Sequence, residues 1–371
     1  VPTYYTRIRK NTNFRKLKAM ILSDTFSDIT PIPQDDGPDA VCAIEYPREF
    51  DEAQGYLRAL MKMDERSERA LELTALCLRF NPANYTTWWF RRQCLASLST
   101  PPTSDFESKY TYFSENFIAN DLMLASKLGG SNPKNYQVWY HRRNLLEQSF
   151  SDMTSDSDTE CGSVLELVNE ELEYIAGVLD KDSKNYHAWS HRQWILKIIN
   201  MESKWTAEIE YINDLLEADV RNNSAWNQRW LVSHRGSKSK PFPVEAASEE
   251  VNFVISKARE DPYNESPWRY FVALIKEQFR LIASSPEFVS LVDTCENALK
   301  EVKEKFELES KKDGMECTHL IAAHIDILEM KGDEDSLSSA VEFAILLESR
   351  YDPVRKKYWK LRAQQLQVVA N

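Results

Sequence analysis

Twelve consecutive residues, NPKNYQVWYHRR at 132–143, hold a lysine, two tyrosines, a histidine and two arginines without one acid. Side chains of these types hold negative charge, the cations by Coulomb attraction and the tyrosine and imidazole by donating hydrogen bonds. A variant, DSKNYHAWSHRQ, follows at 182–193. Relative to the asparagine of each string, positions −1, +2 and +6 form one helical stripe: Lys134, Gln137 and His141, then Lys184, His187 and His191. Arg221, Ser224 and Gln228 continue it, while an earlier copy has Ala83, Thr86 and Phe90 and carries no cation. A helix start adds free backbone N–H groups and the positive end of the dipole, so the stripe fits an anion such as phosphate. A merely solvated basic face fits the same pattern. The stripe lies well round the helix from the tryptophan, which predicts that it stays out of the core.

The element that must position these residues repeats along the chain. NYTTWWFRR at 84, NYQVWYHRR at 135, NYHAWSHRQ at 185, NNSAWNQRW at 222 and NESPWRYFV at 264 share an asparagine four residues before a tryptophan. The pairs are Asn84 with Trp88, Asn135 with Trp139, Asn185 with Trp189, Asn222 with Trp226 and Asn264 with Trp268. Arg91, Arg142, Arg192 and Arg229 follow three residues after the tryptophan, and Phe271 replaces the arginine in a degenerate fifth copy. Spacings of 0, 4 and 7 put Asn, Trp and Arg on one stripe of an α-helix, here helix B, predicted near 84–95, 135–147, 185–198, 222–234 and 264–278. The stripe recurs in copies that cannot all touch one ligand, so it reads as structural: the indole fills space between helices, and Asn and Arg satisfy backbone groups near the turn. Upstream stretches such as LELVNEELEYIAGVLDKD (165–182) predict a partner, helix A. A helix hairpin cannot bury its apolar face alone, so the fold class is all-α, an α–α solenoid of stacked antiparallel hairpins. Tryptophan steps of 51, 50, 37 and 42 residues do not fit the tetratricopeptide period of about 34.

Residues 1–50, with TPIPQDDGP and the basic run RIRKNTNFRKLK, read as an amino-terminal arm, and 51–371 as the repeat domain. Polar stretches at 99–111 and 149–163 read as loop insertions at repeat edges. Amphipathic helices continue the stack over 284–371, with Trp359 as a core candidate. A net charge of −12 argues against a general nucleic-acid binder. Six cysteines without CxxC spacing read as thiols in a reducing compartment. His319 and His324 are five apart, off the spacing for two ligands on one helix face, so no metal site is expected. Without an 18-residue apolar run or a signal-like start, the expectation is a soluble, cytoplasmic chain with no transmembrane segment.

The Asn-Trp-Arg copies, with DERSERALELT (64–74), NPKNYQVW, KNYHAWSHRQW and VRNNSAWNQRW, resemble the repeats of the protein prenyltransferase α-subunit family. Within it they resemble the branch shared by farnesyltransferase and type I geranylgeranyltransferase, from residue 28 to about 370. The resemblance implies a right-handed crescent of hairpins wrapped around an obligate β subunit, together active on the cysteine of proteins ending in CaaX. It places the catalytic zinc on that β subunit, which binds the cysteine as thiolate, and magnesium with the farnesyl or geranylgeranyl diphosphate. It assigns Lys134, Tyr186 and His187 to the diphosphate, Gln137 to the approach of the peptide carboxylate, and Tyr136 and Tyr85 to the same cleft. Competing readings are a non-catalytic helical-repeat scaffold, which needs no cationic stripe, and the α subunit of Rab geranylgeranyltransferase.

Overall fold

A computed structural model describes residues 25–39, 41–42, 44–99, 115–130, 132–151, 158–234, 244–282 and 286–370. Its regular elements are helical: α1 (Arg48–Met63), α2 (Glu68–Phe80), α3 (Tyr85–Ser99), α4 (Glu115–Gly129), α5 (Tyr136–Ser151), α6 (Asp158–Leu179) and α7 (Tyr186–Ile199) come first. Then follow α8 (Glu202–Ala218), α9 (Asn223–Ser233), α10 (Val244–Glu260), α11 (Glu265–Ile282), α12 (Pro286–Ser310), α13 (Thr318–Lys331), α14 (Glu334–Leu346) and α15 (Lys356–Ala370). Contacts divide the chain into two compact units, one ending at Ile195 and one starting at Leu196. In each unit helices pair as antiparallel hairpins, α2 with α3 and α4 with α5 in the first, α8 with α9 and α10 with α11 in the second. Successive B helices also touch, α3 against α5 and α9 against α11.

Every B helix starts one residue after its asparagine because that asparagine is the N-cap. Its Oδ1 accepts the N–H two or three residues on: from Thr87 for Asn84 (3.1 Å), Gln137 for Asn135 (2.9 Å), Ala188 for Asn185 (3.1 Å), Ala225 for Asn222 (3.2 Å) and Ser266 for Asn264 (3.1 Å). The preceding turn is equally regular. NPAN, NPKN, DSKN, DVRN and DPYN each close with the asparagine N–H donating to the carbonyl three residues back, at 3.0–3.2 Å. In the first four, the Asn or Asp that opens the turn also accepts the N–H of the third residue. The last four residues of every connection between helices A and B thus form the same turn. At their far ends, α3 and α11 run on to Ser99 and Ile282, a full turn past the expected 95 and 278.

Trp88, Trp139, Trp189, Trp226 and Trp268 are all buried, and each indole N–H donates to the carbonyl six residues earlier, at 2.7–2.9 Å. That bond lets a large apolar side chain fill the hairpin without orphaning its one polar atom. The stripe also joins one repeat to the next, since the Trp88 ring lies 4.4 Å from that of His141 on α5. In the degenerate copy Trp268 keeps both burial and its bond to the Pro262 carbonyl, and Phe271, standing where arginine would, is buried beside it. Losing the arginine therefore leaves the indole's structural role intact. Trp359, on α15, is buried too, with its N–H on Asp352.

Helices run further than the polar composition of 149–163 implies: α5 continues to Ser151 and α6 begins at Asp158. Residues 100–111 of the first insertion lie outside the described residues, as does the basic run at 7–18. The later part of the expected arm packs on the first helices. Phe26 is buried, Ile32 N–H donates to the Gly55 carbonyl at 3.0 Å, and Arg58 and Arg69 hold the Ile32 and Thr25 carbonyls.

Candidate functional site at the starts of α5 and α7

Lys134 is the third residue of the turn before α5, two residues outside the helix rather than in its first turn. The turn holds its backbone through Asn132 Oδ1 and leaves the side chain 71 % exposed, with Nζ 3.3 Å from Asp182. Asp182 opens the next repeat's turn. The same pairing recurs between Arg221 and Asp261 at 2.5 Å, so it is a feature of stacked turns. An exposed pair of this kind contributes little to stability.

Tyr136 and Tyr186 are the first residues of α5 and α7, and His187 is the second of α7. The Tyr136 and His187 rings meet edge to face with centroids 4.1 Å apart, and Tyr186 lies 5.6 Å from His187. Both tyrosines are about 70 % exposed, while His187 is half-buried. Burial holds the His187 ring below the usual histidine value, which favours its neutral form. Gln137 is half-buried one residue beyond Tyr136, and Tyr85 takes the corresponding exposed place at the start of α3. Tyr136, Tyr186 and His187 are brought together, while the Lys134 side chain reaches Asp182 on the turn that precedes α7; Tyr85 belongs one repeat earlier on the same row.

The stripe that predicted an exposed face is not exposed at its +6 position. His141, His191 and Gln228 are buried, as is Phe90. A helix B inside a stack touches helices on two sides, so its buried arc spans about 160° at 100° per residue and reaches the +6 position. Each polar +6 residue instead meets an acid on helix A of its own hairpin, always 20 residues back. His141 Nε2 is 2.5 Å from Asp121, His191 Nε2 is 2.9 Å from Glu171, Gln228 Nε2 is 2.7 Å from Glu208, and the Tyr270 hydroxyl binds Glu250 at 2.5 Å. The stripe arginine of the preceding hairpin completes three of these groups. Arg91 donates to Asp121 at 2.9 Å, Arg142 to Glu171 at 2.8 Å and Arg229 to Glu250 at 2.6 Å. Arginine also reaches a helix A carbonyl, Leu71 or Leu122, but its main partner is the next repeat's acid. Burial would raise the Asp121 and Glu171 carboxyls; the arginine charge and the histidine hydrogen bond outweigh it and hold both well below the usual range. These acids are invisible to motif reading, and the constant spacing of 20 is the signal that finds them.

Among the described residues, no group of three or more His, Cys, Asp or Glu could hold a metal ion, so they do not fit a zinc site. His319 and His324 separate: His319 is half-buried near Glu265, and His324 is buried against Phe343. No helix among the described residues is long and apolar enough to cross a membrane.

Asn-capped hairpins joined by acid–arginine groups define a helical-hairpin repeat protein. A family model described as "Protein prenyltransferase alpha subunit repeat" matches residues 67–98, 118–149, 168–199 and 205–235. A Dictyostelium discoideum protein farnesyltransferase/geranylgeranyltransferase type-1 subunit alpha is 35 % identical over 348 residues, 91 % of each chain. Its Arabidopsis thaliana counterpart is 36 % identical over 93 % of this chain and 95 % of its own. The chain belongs to the protein prenyltransferase α-subunit family, in the farnesyltransferase/geranylgeranyltransferase type-1 group. A solved structure titled Candida albicans protein geranylgeranyltransferase-I complexed with GGPP has the same fold, with TM-score 0.66 and 24 % identity over 92 % of this chain and 98 % of that one.

Proposed function

We propose that this chain is the α subunit of a heterodimeric protein prenyltransferase that transfers a farnesyl or geranylgeranyl group to the cysteine of CaaX-ending proteins. The observation that carries the site assignment is the cluster of Tyr136, Tyr186 and His187 at the starts of α5 and α7, joined to the turn of Lys134 by the Asn185 amide on the Pro133 carbonyl. Breaking the bond between the prenyl carbon and the diphosphate builds negative charge on the departing oxygens. Lys134 supplies a cation there, and Tyr186 and His187 supply hydrogen bonds that strengthen as the charge grows. Tyr136, Gln137 and Tyr85 line the same row, with Gln137 toward the peptide carboxylate. In this reading the β subunit carries the zinc and most of the substrate pocket, and magnesium accompanies the diphosphate.

Lys134→Ala in the assembled heterodimer tests the assignment. Loss of one electrostatic contact of about 1.4–4 kcal/mol should slow single turnover roughly ten- to a thousandfold, with assembly intact and prenyl diphosphate affinity changed much less. A normal single-turnover rate would remove Lys134 from the site.

A further inference from the structure

Asn185 does two jobs at once. Its Oδ1 accepts the His187 and Ala188 N–H groups at 3.0 and 3.1 Å and so caps α7. The cap fixes the orientation of the amide and leaves Nδ2 as its only remaining donor. Nδ2 donates to the Pro133 carbonyl at 3.2 Å, an oxygen that also accepts the Trp139 indole N–H at 2.7 Å. Pro133 directly precedes Lys134, and Asn185 directly precedes Tyr186. One buried amide therefore ties the turn that carries Lys134 to the helix start that carries Tyr186 and His187.

We infer that Asn185 is a positioning residue of the diphosphate site, its amide setting the spacing of Lys134 from Tyr186 and His187. The inference rests on the reading that those three side chains hold the diphosphate. The repeat contains its own control. In the second unit Asn264 caps α11, and its Nδ2 donates at 2.8 Å to the Val220 carbonyl, which also accepts the Trp226 indole N–H. That amide makes the same kinds of bond, but none of the three diphosphate residues stands beside it. Lost stability is therefore common to both asparagines, whereas lost positioning belongs to Asn185 alone.

The test uses the heterodimer with its β subunit, a prenyl diphosphate and a CaaX peptide, read by single turnover and by thermal melting. Asn185→Ser keeps a capping oxygen but cannot reach Pro133; Asn185→Asp keeps the cap and replaces the donor by an acceptor. Asn185→Ser and Asn264→Ser should lower the melting temperature by similar amounts, and only the former should slow single turnover, by about tenfold. Asn185→Asp should slow it as well, and serves as the readout should the serine variant not assemble. Added to Lys134→Ala, Asn185→Ser should slow the reaction by clearly less than tenfold, because the lysine to be positioned is gone. A normal rate for Asn185→Ser beside a slow Lys134→Ala would overturn the inference alone, as would equal slowing by Asn264→Ser. A full tenfold on top of Lys134→Ala would also overturn it. A normal rate for Lys134→Ala would overturn the diphosphate reading and the inference with it.

Discussion

At the residue scale, the tryptophan stripe of helix B and the proposed binding row at its start differ first in burial. Trp189 is buried and satisfies its indole N–H on the Ser183 carbonyl at 2.9 Å, while Tyr186, at the helix start, is exposed. Trp189→Ala should cost about 3–5 kcal/mol of stability through the cavity it leaves. Denaturant titration checks this, and an unchanged midpoint together with lost prenyl diphosphate binding would show that the two stripes exchange roles. His187 and His191 illustrate how little residue type decides by itself. They are four positions apart on one helix, yet one ring packs edge to face on an exposed tyrosine and the other is buried on a carboxylate.

At the element scale, α13 carries a histidine with the opposite character. Neither ring nitrogen of His324 has a partner among the described residues, and the ring is buried against Phe343. Burial lowers its pKa from 6.5 to about 4; Glu296 opposes that effect and Lys300 and Lys303 add to it. Because the folded value lies below the unfolded one, the folded state binds fewer protons. The stability is fully present above pH 6.5 and is lost as pH falls toward 4, a difference of roughly 3 kcal/mol. Chemical denaturation of wild type and His324→Leu across pH 7 to 4 should show a shallower loss for the leucine variant. Identical slopes would mean that His324 does not drive acid destabilisation. The acid–histidine–arginine groups behave differently over this window, since Asp121 and Glu171 stay ionised until well below pH 4.

At the scale of the whole molecule, a chain with net charge −12 and no metal cluster among its described residues presents a local basic and aromatic row. In the proposed reading this row forms only part of the substrate site, the β subunit supplying the rest. The purified chain without a β subunit should therefore hold no stoichiometric zinc and transfer no prenyl group. Metal analysis and a transfer assay on the isolated chain check this. Tight zinc at one per chain, or turnover, would contradict the division between subunits.

Much of this fold is legible in the sequence because its signals are local. An N-cap acts over two or three residues, a helical stripe over seven, and an Asx-opened turn over four; the Asn-to-Trp spacing therefore fixes where each B helix starts and which face holds the indole, from Trp88 through Trp268. Lys134, by contrast, reads from the helical stripe as a first-turn residue and stands instead on the turn before α5, where Asn132 holds its backbone. The tertiary structure decided what depends on stacking. It made helix B two-sided and so buried His141 and His191 at positions that one-sided amphipathicity leaves in solvent. It chose partners for Arg91 and Arg142 on acids 30 and 29 residues away. It also set Tyr136 against His187, a contact between neighbouring hairpins that the Asn185 amide joins at the Pro133 carbonyl. Periodicity along one helix specifies a direction for each side chain; which neighbour occupies that direction is settled only when the hairpins pack.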